Sequence, residues 1–412
     1  MPGKSRSWYP VNRDPEYGPL GRYVETFQDT LLACGYAAAT IRHKVRLVRH
    51  LNHWLHQEQL SPKDLDEQRI AGFLRYWRKS HSIHLGDQLT LKNLLGWLRE
   101  SGITPVLALQ EEVSDLDRLL EDYARHLRQE RGLAPATLRN YLPSVRRFLQ
   151  GRFGANAVAP KELMPKDVMA FLFQQTRIYR VRRVQLIATA LRSFLRFLRF
   201  RGDLTTDWAV SVPTVANRRC PDLPKYLPPQ DVDRLLRSCD RTRAVGLRDY
   251  AMLLLMVRLG LRAGELLTLT LDDIHWEAGL ITLWGKSHHQ ESLPIPKDVG
   301  EALVRYLKKG RPDCSTRRLF VRARAPFREL ARNSSVCVVV RYACRRAGIS
   351  PPHQGAHLLR HSLATQMLRH GASMAEVAQI MRHQSPQTTE IYAKVDLRTL
   401  RELAQPWPRR AR

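Results

Sequence analysis

The sequence predicts a mainly α-helical chain with a small antiparallel β-sheet: two helical repeats in front and an α+β domain behind. Three observations carry this. The 412 residues exceed one ordinary domain. A helical pattern near the N-terminus recurs later in the same order. In the back half, a short stretch alternates apolar and polar residues on both sides of a polar turn, as a hairpin does.

Composition narrows the function classes. An apolar fraction of 43% supplies packed cores, and 26% charged residues is ordinary for a soluble chain. The balance of charge is unusual: 67 Lys+Arg against 39 Asp+Glu, net +28, with a pI near 10.5. An excess of this size calls for a polyanionic partner, nucleic acid before an anionic membrane surface. Segment 1–19 is read as an extension; it has no apolar stretch of the signal-peptide kind. The longest apolar run, AMLLLMV at 251–257, is far too short for a bilayer and reads as a buried core helix. Six cysteines without a CxxC pair point to free thiols in a reducing cytoplasm.

The first repeat spans 20–105 and the second 115–206. GYAAATIRHKVRLVRHL from Gly35 matches GLAPATLRNYLPSVRRF from Gly132 at an offset of 97. IAGFL from Ile70 and VMAFL from Val168 follow at 98, then LLGWLRESG from Leu94 and FLRFLRFRG from Phe194 at 100. In each copy a Gly ends one helix, a Thr (Thr40, Thr137) is expected to cap the next, and Arg residues stripe the solvent face. A cationic face is either solvated surface or a seat for a nucleic-acid backbone, and its duplication in so basic a chain favours the second. Residues 207–229, rich in Pro and without helical periodicity, read as a linker.

The domain at 230–412 carries the chemistry. In RLGLRAGELLTLTL, Arg262 sits between Gly260 and Gly264 with Glu265 at i,i+3, a spacing that pairs them on one helix. LITLWGKSHHQESLPIP reads as a β-hairpin with Lys286 at its tip; His288 and His289, adjacent in a turn, do not suit one metal ion. HLLRHSLATQMLRHG places His357 and Arg360 on one helix face. His357 and His361 at i,i+4 have the spacing of HExxH zinc proteases, but Leu358 stands where the general-base Glu would be. His383 and then Tyr392 follow in HQSPQTTEIYAKVD, polar company for a phenol. The tail VDLRTLRELAQPWPRRAR spaces Leu397, Leu400 and Leu403 along one face of a further helix, packed on its own domain or on a neighbouring protomer.

Taken in order, Arg, Lys, His-x-x-Arg, His and Tyr closely resemble the tyrosine recombinases, the phage-integrase family that includes Xer-like integrases. HLLRHSLAT is similar to the family's HxLRHS(F/L)AT, HQSPQTTEIYAKV to its GHxSxxTTxIYxxV, GLRAGELLTL to its first-arginine segment and GKSHHQESLPIP to its lysine hairpin. The resemblance covers about 115–412, with the second repeat as core-binding domain, SAM-like in fold, and the first as an additional domain of the same type. It implies a site-specific recombinase or integrase of a mobile element that acts on double-stranded DNA as a synaptic tetramer. Neither metal nor ATP is implied; partner recombinases or accessory proteins are. Tyr392 would be the nucleophile, Arg262 and Arg360 the phosphate clamp, Lys286 the general acid, His357 a proton-transfer aid, His383 a phosphate ligand and Glu265 the support of Arg262. One departure is Arg382, where the family usually has Gly; it reads as added charge in the phosphate pocket. A type IB topoisomerase-like relaxing enzyme and a non-catalytic DNA-binding regulator remain alternatives on the same residues.

Overall fold

The computed structural model describes residues 18–82, 84–105, 114–154, 157–216, 225–285, 290–330, 333–351, 354–383 and 385–393. The chain packs as two compact units, Leu107–Pro221 and a unit that joins Met1–Val106 with Asp222–Arg412. The fold is mainly helical with one small antiparallel sheet, as the sequence predicts. No described helix is long and apolar enough to cross a membrane.

The first repeat is four helices, α1 (Val24–Ala33), α2 (Ala38–Gln57), α3 (Glu67–Arg78) and α4 (Leu85–Glu100), around Phe27, Leu51, Leu55, Phe73, Leu91 and Leu98. Asp66 starts α3 by accepting a hydrogen bond from the Arg69 backbone N–H at 2.7 Å. The basic face of α2 is exposed at Arg42, Arg46 and Arg49. Within the same unit, the Phe327 N–H donates to the Cys34 carbonyl (3.1 Å), and the Phe327 ring fills the space beside Gly35 that any Cβ there would enter.

The second repeat comprises α5 (Asp115–Gln129), α6 (Pro135–Phe153), α7 (Pro165–Ile178) and α8 (Val181–Phe200), closed over Tyr123, Phe148, Phe194 and Leu198. Gly35 and Gly132, the equivalent glycines, both have positive φ, as the sequence comparison implies. The expected threonine caps do not occur. Ala37 and Ala134 are the N-cap residues, both extended, and Thr40 and Thr137 fall inside the first helical turn. Pro135, with its φ already fixed for a helix, opens α6 without a side-chain cap. Part of the segment read as linker belongs to this core: Ala209 and Val212 are buried, and Arg192 and Gln185 donate to the carbonyls of Pro213 and Val215, each at 2.8 Å. At its other end Leu227 is buried in the following domain, its N–H on Ser362 Oγ.

That domain is built on α10 (Ala244–Leu259), whose Met252, Leu253, Leu254, Leu255 and Met256 are all buried. Around it lie α9 (Pro229–Arg237), α11 (Ala263–Thr268), α12 (Lys297–Lys309), α13 (Asn333–Arg346) and α14 (His357–Arg369). Strands β1 (Ile274–His275), β2 (Leu280–Trp284) and β3 (Gln290–Pro294) form the sheet in sequence order. The β2–β3 register pairs Ile281 with Leu293 and Leu283 with Glu291. This is the predicted hairpin, although its tip, with Lys286, His288 and His289, lies outside the described residues. Two short helices, α15 (Met374–Ile380) and α16 (Pro386–Glu390), end the described chain; the tail with Leu397, Leu400 and Leu403 lies beyond it.

Candidate active site

The site forms where the end of α10, the start of α11, α14 and the turns around α15 and α16 converge. Gly260 ends α10 at φ +60°, a left-handed turn that suits glycine, and a Cβ there would press on the Met381 side chain. The turn delivers Arg262 to the N-cap of α11. Glu265, one turn on, accepts from the Arg262 N–H (2.8 Å) and from Arg262 Nη1 (2.7 Å), so the pairing expected from spacing also caps the helix. The other Arg262 nitrogen donates to the carbonyl of Arg382 (2.8 Å).

Arg360 is buried on α14 and donates to the carbonyls of Gly260 and Met381. Burial and the charges of Arg262 and Arg382 lower its pKa to about 10, so it remains a cation at neutral pH. Both guanidiniums are thus fixed against backbone carbonyls of the same turns, which pre-orients them.

Arg382 differs from expectation. Its φ of +52° shows why glycine suits this position, and its side chain is buried. The guanidinium turns inward, donating to the Leu259 and Ile380 carbonyls (3.2 Å each) and to Glu265 Oε2 (2.9 Å). It therefore braces the floor of the site through Glu265 and backbone carbonyls, while its charge still reaches Arg360 and His383. Burial alone would raise the Glu265 carboxyl; the Arg382 charge and the Arg262 hydrogen bonds outweigh it and hold the group below its ordinary range.

Tyr392 follows α16, and its ring is 1% exposed, packed among Ala364, Leu368, Val377 and Met381. The sequence shows a phenol in largely polar company. Most of the apolar neighbours come from α14, α15 and the turn after it, with Ile391 from the flanking chain beside them. Burial pushes the phenol up to about 12, opposed by Arg360. Its hydroxyl lies 2.6 Å from Nδ1 of His361, a residue that sequence reasoning noted only for its zinc-protease spacing. The His383 ring lies parallel to that of Tyr392, centroids 6.4 Å apart, and its Nδ1 lies 2.7 Å from Thr389 Oγ1. His357 opens α14, its ring 6.3 Å from that of His361. Burial, then neighbouring cations, lowers all three imidazoles, His361 and His383 to about 4. They are neutral at physiological pH, able to accept or donate one hydrogen bond at each nitrogen. Of the predicted site residues, Arg262, Glu265, His357, Arg360, His383 and Tyr392 gather here; Lys286 lies outside the described residues.

Comparison with known proteins identifies the family. The profile of the Phage integrase family matches residues 225–398. A putative integrase/recombinase, y4rA of Sinorhizobium fredii, is 41% identical over 97% of both chains. Tyrosine recombinase XerD of Listeria monocytogenes is 31% identical over its full length and 72% of this chain. Among solved structures, the XerH site-specific recombinase in a post-cleavage complex with its difH substrate superposes with a TM-score of 0.55, covering 81% of this chain and 93% of that one at 20% identity. A DNA-bound λ integrase dimer gives 0.51 at 18% identity, over 67% of this chain and 94% of its own; both likenesses are of fold. On the sequence relationships and the fold together, the chain belongs to the phage integrase family of tyrosine recombinases, enzymes of DNA strand transfer.

Proposed function

We propose that the protein is a site-specific recombinase or integrase of a mobile element, which cuts and rejoins double-stranded DNA through Tyr392 without metal or ATP. The observation that carries this reading is the convergence of Arg262, Arg360, His357, His383 and Tyr392 on one pocket of a chain with net charge +28. The Tyr392 oxygen attacks the scissile phosphorus, giving a 3′-phosphotyrosyl link and a free 5′-hydroxyl. One phosphoester replaces another, so rejoining needs no external energy. Arg262 and Arg360 stabilise the non-bridging oxygens as charge builds in the transition state, and His383 adds a hydrogen bond there. Glu265 keeps Arg262 in place, His357 assists proton transfer, and Lys286 protonates the leaving 5′-oxygen. Exchange between two sites takes a homo-tetramer, with partner recombinases or accessory proteins where the site requires them. The described cysteines Cys34, Cys239, Cys314, Cys337 and Cys344 are free, in keeping with work in the cytoplasm on nucleoid DNA.

The test uses nicked duplexes tiled across DNA that flanks the gene, incubated with the protein in EDTA and scored for SDS-resistant adducts. An adduct that needs Tyr392 maps the site and supports the reading; binding without any adduct removes catalysis from it. Two substitutions extend the test. Lys286→Ala is expected to be slow on ordinary DNA and to recover when sulfur replaces the leaving 5′-oxygen; no recovery removes Lys286 as the acid. Arg262→Lys is expected to slow single-turnover cleavage by about 10²–10³-fold, the scale of one lost transition-state donor, with site binding little changed. A cleavage rate within a few-fold of wild type would take Arg262 out of the clamp.

A further inference from the structure

None of the roles above uses His361, yet this is the side chain that meets the nucleophile. Its Nδ1 lies 2.6 Å from the Tyr392 hydroxyl, with ring centroids 5.5 Å apart. His361 follows Arg360 directly on α14, so the helix that anchors the clamp also sets this imidazole against the phenol. We propose that His361 is a catalytic residue, the proton acceptor for Tyr392 in DNA cleavage; the proposal rests on the reading of Tyr392 as nucleophile.

In the step, the phenolic oxygen forms a bond to phosphorus and its proton passes to His361 Nδ1. The bond from phosphorus to the 5′-oxygen breaks, and that oxygen takes a proton from the general acid. Religation runs the same transfers backward, with the His361 proton returned to the departing phenol. The surroundings match a base that acts only with substrate present. Burial first, then His357 and Arg360 on α14, disfavours an imidazolium at His361, and the His383 ring lies parallel to the phenol from beyond α15. The ring is therefore neutral, its Nδ1 placed to accept from the phenol, and the buried phenol keeps its proton. A DNA phosphate brings the negative charge that makes the imidazolium tolerable, which couples proton removal to the arrival of the scissile group.

A simpler role would be to hold the phenol in position. Single-turnover adduct formation on a nicked suicide duplex separates the two, with gel-shift binding as the check on folding. His361→Ala is expected to slow adduct formation about 10²–10⁴-fold, the range of general acid–base catalysis. His361→Asn offers an acceptor oxygen near the Nδ1 position but cannot take a proton, so it is expected to restore packing and not rate. Replacing Tyr392 with a fluorinated tyrosine, whose phenol is more acidic, should shrink the His361→Ala penalty at least tenfold. Near-wild-type cleavage by His361→Asn, or the same penalty with fluorinated and ordinary tyrosine, overturns the proposal and leaves His361 a positioning residue. An unimpaired His361→Ala overturns it as well. If wild-type protein forms no Tyr392-dependent adduct at all, it is the functional reading that falls, and this proposal with it.

Discussion

Tyr392→Phe binds its DNA as wild type does and forms no covalent adduct. Phenylalanine is the right replacement because the ring is a core side chain as well as a nucleophile. Fully buried among Ala364, Leu368, Val377 and Met381, it would leave a cavity as alanine, and truncations of buried aromatics cost about 3–5 kcal/mol. Loss of activity in such a variant would report misfolding as readily as chemistry. Phenylalanine keeps the packing and removes only the hydroxyl and its hydrogen bond to His361. The net loss is about 1–3 kcal/mol, because the imidazole Nδ1 is left without its partner. The melting temperature should fall by several degrees at most, while adducts on nicked duplex vanish into background. Adducts that persist in the phenylalanine variant would place the nucleophile elsewhere in the chain.

The same tyrosine shows how far the sequence could be read. Ile391 and Ala393 flank it within an otherwise polar stretch, too little for local pattern to announce a buried ring; most of its apolar contacts arrive from α14, α15 and the turn after it. The bond between His361 and Tyr392 joins residues 31 positions apart, and no spacing rule spans that distance. Arg382 was legible as a departure from the family pattern but not in its direction. Its carbonyl partner Leu259 is 123 residues away, and only the folded turn decides that the guanidinium points inward. By contrast, features set by local backbone chemistry were readable. The left-handed Gly35 and Gly132, the Ile281–Leu293 register and the Arg262–Glu265 pair all depend on residues within one turn or one hairpin. The misassigned Thr40 and Thr137 caps are the instructive exception, since Pro135 and the extended alanines start those helices without a hydroxyl.

Glu265→Ala is expected to be strongly destabilising. The carboxylate is buried, faces two guanidiniums and caps α11. Its removal leaves the buried Arg382 facing only the part-exposed Glu291, 3.6 Å away, and breaking a buried pair from one side costs about 3–5 kcal/mol. The effect on cleavage follows from geometry: Arg262 loses both the Nη1 contact and the helix cap that orient it. Glu265→Gln separates charge from shape, because an amide can still accept from the Arg262 N–H. Here pH gives a signed expectation. The folded-state pKa of Glu265 lies below its ordinary value of 4.5. As pH falls, the unfolded chain takes up this proton first, so the stabilisation is full above about 4.5 and fades as pH drops through the folded value. The stability gap between wild type and Glu265→Gln should therefore be constant from pH 8 to about pH 5 and narrow below about 4.5, in urea melts at each pH. A gap that stays the same down to pH 3 would mean that the carboxylate acts through packing and its cap, and that its charge contributes nothing to holding the two arginines.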